Sequence, residues 1–359
     1  LSNKTVKLVL LLCLYLVFNS FISKDFSLGV NRNFGFIRWI IFFLALNYFF
    51  YNKIFMKNTL TIWTIFITIV LLDTYFEIYF EKNILGFGGE EFGKRIVSFF
   101  KDEPIVGGYI NAFYLLIIGY LFFRFKDQAK KYQVIILIFS LVFVLAILLT
   151  GERSNTLKAI FAMIIFYFLF NNFTIKQKLI SFLATLVLLI ATVLSSDYLK
   201  VRYFTQIFSP NLWVDGKRDL KKNILTQNIL VQHQKNIYFI IYKSGINIFS
   251  DNPIFGVGNK NYRLDACKIY DKKDKNYIKK FLCTTHPHQT YVEFLSEHGL
   301  VGTMILIFIF YNLIFKQLIN ISRSGNYIQL GCIAYLITIF VPILPSGAFF
   351  GDYNSTLFW

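Results

Sequence analysis

Residues 133–149 read QVIILIFSLVFVLAILL, an apolar run broken only by Gln133 and Ser140. A helix through it has no polar face to offer water, and its length is what a bilayer core asks for. It ends on Thr150-Gly151-Glu152-Arg153-Ser154-Asn155, a short polar turn, and a second apolar run begins at once over 155–172. Two lipid-length helices on one tight turn predict a chain that crosses a membrane repeatedly.

Working outward by the same rule gives further spans near 7–23, 34–51, 60–80, 106–123, 178–195, 300–316 and 327–346. The expected fold is therefore all-α and polytopic, with about nine transmembrane helices. Composition agrees: 56% of residues are apolar and only 16% charged, where a soluble domain carries nearer a quarter charged. The chain holds 43 Phe and 22 Tyr, which suit lipid-facing and interfacial positions. Residues 1–195 are expected to form the first seven spans, with an outer loop near 81–105. Residues 196–298 form one large loop and 299–359 the last spans. Leu1 in place of Met, and an apolar stretch reaching Trp359, lead us to expect cut ends and nine spans as a lower bound. Leu8 to Ile22 lacks a small-residue cleavage site, so no cleaved signal peptide is expected.

Orientation follows from the cations. One set of alternate connections holds Lys4, Lys7, Lys53, Lys57, Arg124, Lys126, Lys130, Lys131, Lys176, Lys178, Lys316 and Arg323 against the single acid Asp127. That side is expected to be the cytoplasm, which puts the N-terminus inside and both long loops outside. From Ser196 to His288 the large loop holds 16 Lys/Arg and 7 Asp, a net charge of +9. Long loops escape the positive-inside rule, so this charge has another cause. Either the loop touches anionic head groups, or it receives an anionic substrate such as a lipid-linked phosphate.

Only four histidines exist, His233, His286, His288 and His298. Pro287 stiffens Thr285-His286-Pro287-His288-Gln289, and Gln289 to His298 reads as a short helix closed by Gly299. A histidine at the membrane edge is suited to general acid–base work, and a loop pair without a task is the plainer reading. His286, His288, Cys267 and Cys283 match no zinc spacing, whereas Cys267 and Cys283 would pair as a disulfide in an oxidising compartment. Cys13 and Cys332 lie within spans. Arg153 sits in an outer turn, where it either pairs with Glu152, snorkels, or binds an anion. Arg95, in the other outer loop, offers a guanidinium that can grip two phosphate oxygens. Gly256-Val257-Gly258 reads as a tight turn. No Walker, dinucleotide or Ser-His-Asp motif occurs, and no Asp-x-Asp pair lies in the first outer loop.

His288-Gln289, nine residues, then Gly299-Leu300-Val301-Gly302-Thr303 resembles the His-[Asn/Ser/Gln]-x9-Gly-x-x-Gly-Thr segment of the bacterial O-antigen ligase/polymerase superfamily. Asp251-Asn252-Pro253-Ile254-Phe255-Gly256-Val257-Gly258 is similar to that family's Asn-Pro turn. The Gly-x-Arg-Ser turn at Arg153 and Pro345 to Phe350 match in the same order. The resemblance implies a membrane glycosyltransferase (GT-C-like) bundle in the bacterial inner membrane, with the large loop periplasmic. It implies glycan transfer from an undecaprenyl-pyrophosphate donor, without metal, cofactor or nucleotide sugar. His288 matches the family's catalytic histidine, and Arg153 one of its pyrophosphate-binding arginines.

An arginine that many ligases carry upstream of the Asn-Pro turn is missing from Gln232-His233-Gln234-Lys235-Asn236-Ile237-Tyr238. Lys235, Arg218 or Arg263 is expected to replace it, with Arg95, His286 and His233 as further substrate contacts. His233, Tyr262-Arg263, Cys267, Cys283 and Thr285 to His288 resemble the polymerase branch more closely than the ligase branch. The implied partners are a lipid-linked oligosaccharide, a second lipid-linked glycan or lipid A–core as acceptor, membrane lipids and a chain-length regulator. No nucleic acid is expected. A transporter or flippase for the same lipids is the alternative from another class. It needs polar groups at mid-bilayer, for which Asp73 and Glu77 are the candidates, and no internal repeat is visible.

Overall fold

Lipid offers no hydrogen bonds, so apolar runs of this length must satisfy their backbone internally. The computed structural model is helical accordingly. It describes residues 3–89, 95–101, 103–205, 213–214, 217–218, 237–266, 284–342, 344–351, 353 and 355–356. Among these, seven stretches are long and apolar enough to cross a membrane: Lys4–Phe21, Phe26–Tyr51, Lys53–Phe80, Val106–Arg124, Lys130–Leu149, Ile175–Ser195 and Thr290–Ser324. The other two expected spans are present as shorter helices, Arg153–Leu169 and Tyr327–Ile339. The last stops short of residue 346 because Pro342 and Pro345 follow, and the residue before a proline disfavours helix. The β structure among the described residues is a two-residue antiparallel ribbon, Trp213–Val214 with Lys217–Arg218. Large apolar side chains stay exposed along the helices, Ile62, Ile65, Phe66, Ile69 and Leu72 on one of them. Lipid is the medium that makes this stable.

The chain divides into two compact units. One comprises 52–208 and 316–339. Helices α4 (Lys53–Phe80), α6 (Lys130–Leu149), α7 (Arg153–Leu169) and α14 (Tyr327–Ile339) pack around the buried α5 (Val106–Arg124). Two glycines set the closest approach. A Cβ on Gly119 would lie 2.2 Å from the Tyr327 carbonyl oxygen, and one on Gly331 would lie 2.0 Å from that of Leu115. Small residues at both crossing points let the two backbones touch, as helix pairs in lipid require. Tyr114, Phe122, Phe143, Phe166 and Phe170 fill the space between the helices.

The other unit comprises 1–51, 209–315 and 340–359. Here α12 (Thr290–Phe310) packs on α1 (Asn3–Phe21) and α10 (Ile237–Asp251). Gly299 interrupts α12 with φ 61° and ψ −162°, and the freed backbone groups are taken up by the Asn-Pro turn. Leu300 N donates to Pro253 O (2.9 Å), Val301 N to Ile254 O (3.2 Å), Val257 N to Ser296 O (3.0 Å) and Gly258 N to Glu297 O (2.9 Å). The two glycine-bearing motifs therefore interlock backbone to backbone. Asn19 Nδ2 holds the same turn through Phe255 O at 2.9 Å, and Lys24 pairs with Asp265.

Candidate active site

Gln289 caps α12, its side-chain oxygen accepting from Val292 N at 2.8 Å. The residue before it, His288, takes φ 53°, a left-handed conformation that needs outside support in a non-glycine residue. The Pro345–Phe350 stretch supplies it. Ser346 N donates to His288 O at 2.9 Å, Ser346 Oγ lies 3.0 Å from Thr290 Oγ1, and Phe349 N donates to Glu293 Oε2 at 2.9 Å. Thus two motifs far apart in sequence brace the backbone at His288.

The His286 and His288 rings lie 4.0 Å apart between centroids, and Tyr238 approaches His288 edge-on at 6.2 Å. Thr285 Oγ1 sits 3.1 Å from His286 Nδ1, while His286 Nε2 is buried without a hydrogen-bond partner. Burial, then His288, then the Arg263 guanidinium pull the His286 pKa down to about 4. Burial also lowers that of His288. Both rings are neutral at neutral pH, and a neutral imidazole can accept a proton. Arg263 lies within electrostatic reach of His286 and of Glu297, so this expected cation does join the histidine segment.

The 52–208 unit gathers a second group. Gly151 (φ 74°) turns the chain between α6 and α7. Glu152, one of the partners the sequence offered for Arg153, caps the start of α5. Its carboxylate accepts from Gly107 N (2.7 Å), Gly108 N (3.1 Å) and Asn155 Nδ2 (2.6 Å). Burial raises its pKa, opposed by the Asn155 and Gly107 hydrogen bonds and by Arg95. Glu152→Ala would leave two buried amides unpaired and should cost about 2 kcal/mol, read as a lower melting temperature in detergent. Glu152→Gln, which keeps an acceptor, should lose less.

Arg95 donates to Pro104 O at 2.9 Å, and its Nε is buried without a partner. Arg202 donates to Gly151 O from Nε (3.2 Å) and Nη2 (2.8 Å). The charges of Arg202, Arg95 and Arg153 all reach the Tyr198 hydroxyl. Arg95 and Tyr198 line a cavity of about 360 Å³ together with Glu77, Thr192, Ser195 and Ser196. Two of the expected cations, Arg95 and Arg153, are thus brought together, and a third that sequence reasoning missed, Arg202, joins them. Its signal was faint, one basic residue among sixteen in the loop, one helical turn past Tyr198.

Asp73 and Glu77 both hold the outer loop, and Glu77 also lines the cavity just described. Glu77 accepts from Val97 N (3.1 Å) and Ser98 N (2.5 Å), and Asp73 from Ile84 N (3.0 Å) and Ser98 Oγ (2.5 Å). Arg218 lies on the two-residue ribbon. Lys235, His233 and the Cys267–Cys283 pairing lie outside the described residues.

Residues 137–307 match a family model described as O-antigen ligase. The chain resembles the O-antigen ligase/polymerase superfamily over that stretch. No curated protein matches the chain. The ligase-like stretch takes in Arg153, Tyr198, Arg202, Arg263, His286 and His288, and Arg95 lies before it. Members of this family are glycosyltransferase-like enzymes.

Proposed function

We propose that the chain transfers glycan from an undecaprenyl-pyrophosphate carrier, joining lipid-linked repeat units at the periplasmic face of the inner membrane. The observation that carries this is the close, uncharged His286–His288 pair, its rings tilted at 50°, on a braced turn within the ligase-like stretch. His288 takes the acceptor hydroxyl's proton as that oxygen attacks the anomeric carbon. The bond from that carbon to the phosphate oxygen breaks, and the pyrophosphate leaves with the electron pair. Arg153, Arg95 and Arg202 balance the charge it gains, with no metal or cofactor needed. His286 and Arg263 contact the substrate beside the base, as do Lys235, Arg218 and His233 in the same basic loop. The acceptor is the non-reducing end of a second lipid-linked unit, a chain-length regulator sets the product size, and a Cys267–Cys283 disulfide steadies the approach to His288.

The description of the matching family favours a second reading, in which lipid A–core is the acceptor and the chemistry is otherwise the same. Polysaccharide gels distinguish the two. The chain is expressed, with the repeat-unit genes of its own source, in a host lacking its polymerase and in one lacking its ligase. A restored ladder in the first supports polymerisation. Rescue of the second alone supports ligation, and rescue of neither rejects both.

A further inference from the structure

The Tyr198 hydroxyl is sealed from solvent and has no hydrogen-bond partner. A buried donor left unmade costs about 1–3 kcal/mol, and phenylalanine would fill the same space without that cost. The surroundings explain why no acceptor is at hand. The Gly151 carbonyl is taken by Arg202, and both oxygens of Glu152 are taken by Gly107, Gly108 and Asn155. Arg95 Nε, a second buried donor of the same group, is also unsatisfied. Donors and three guanidinium groups therefore meet here against the carboxylate of Glu152, whose oxygens are already engaged, and a further anionic acceptor is what they lack.

The fold keeps room for the hydroxyl. A Cβ on Gly151 would lie 2.5 Å from Tyr198 Oη, so the turn must be glycine for two reasons, its φ of 74° and this contact. Burial raises the Tyr198 pKa despite the three arginines, which keeps the hydroxyl protonated and a donor. An oxyanion that displaced Gly151 O from Arg202 would meet the hydroxyl beside the same turn. We propose that Tyr198 is a substrate-binding residue whose hydroxyl donates a hydrogen bond to a phosphate oxygen of the lipid-linked donor. The assignment rests on the pyrophosphate reading of the arginine cluster given above.

The test uses the purified full chain in detergent, with geranylgeranyl pyrophosphate and inorganic pyrophosphate as probes. Tyr198→Phe should weaken both about tenfold, the loss of one hydrogen bond to a charged group. Its melting temperature without ligand should stay level or rise, because an unsatisfied buried group has gone. Arg153→Ala is measured alongside. Unchanged binding in Tyr198→Phe, with weaker binding in Arg153→Ala, overturns the Tyr198 assignment and leaves the pyrophosphate reading standing. Unchanged binding in both variants overturns the pyrophosphate reading itself. Weaker binding together with a lower ligand-free melting temperature marks a packing role and overturns the assignment too.

Discussion

His288→Ala is expected to lower turnover by about 10²–10⁴-fold, the usual contribution of a positioned acid–base group. The assay is glycan transfer in proteoliposomes with the native lipid-linked donor. Donor binding should change little, since the proposed contacts to the pyrophosphate are arginines and not this imidazole. The pH profile adds a signed expectation. The competent form is the neutral ring, and burial lowers the His288 pKa below its ordinary 6.5. Activity should therefore persist as the pH falls through 6.5 and be lost only below that. Full activity in His288→Ala, or an acid limb above 6.5 assigned to this residue, would remove it from the chemistry.

Gly256→Val should be the most damaging single change to the fold. Gly256 takes φ 70°, and a Cβ there would lie 2.4 Å from the backbone carbon of Glu297 and 2.5 Å from His298 N. Neither contact can relax by a side-chain rotation, because both partners are backbone within the α12 break. A β-branched residue adds strain at this φ. The expected loss exceeds about 4 kcal/mol, in the range reserved for broken cores and special backbone positions. The variant should fail to accumulate in membranes. Gly86→Ala is the control: Gly86 has φ 84° but nothing within 4 Å of an added Cβ, so only about 1–2 kcal/mol of strain applies. If both variants melted alike, the interlock of the two motifs would not be what holds the loop.

Much of the fold is legible in the sequence. Apolar runs such as 133–149 predicted the helices, because span length and lipid exposure are written into consecutive residues. The turns at Gly151, Gly256 and Gly299 were legible too, since positive φ leaves glycine as its trace. His288 was singled out by the resemblance of its segment, through Gly299 to Thr303, to a family motif. The partners of the polar groups were not legible. Glu152 stands beside Arg153 in sequence, yet its carboxylate closes the N-terminus of α5, more than forty residues earlier. Asp73 and Glu77 were candidates for a transport path, and only the structure shows that they accept hydrogen bonds from Ile84 N and Val97 N of the outer loop.

What the sequence by itself determined is the class: a helical membrane chain with a basic loop, its turns placed and one histidine singled out. The class and the turns follow from local composition and spacing, where each residue speaks for its own position, and the histidine from the family resemblance of its segment. Only the tertiary structure decided that Arg95, Arg153 and Arg202 converge on Tyr198, and that Ser346 braces His288. Convergence of this kind depends on which helices pack together and at what height. Those contacts join residues tens to hundreds of positions apart, and hydrophobic periodicity along one helix does not say which neighbour its face will meet.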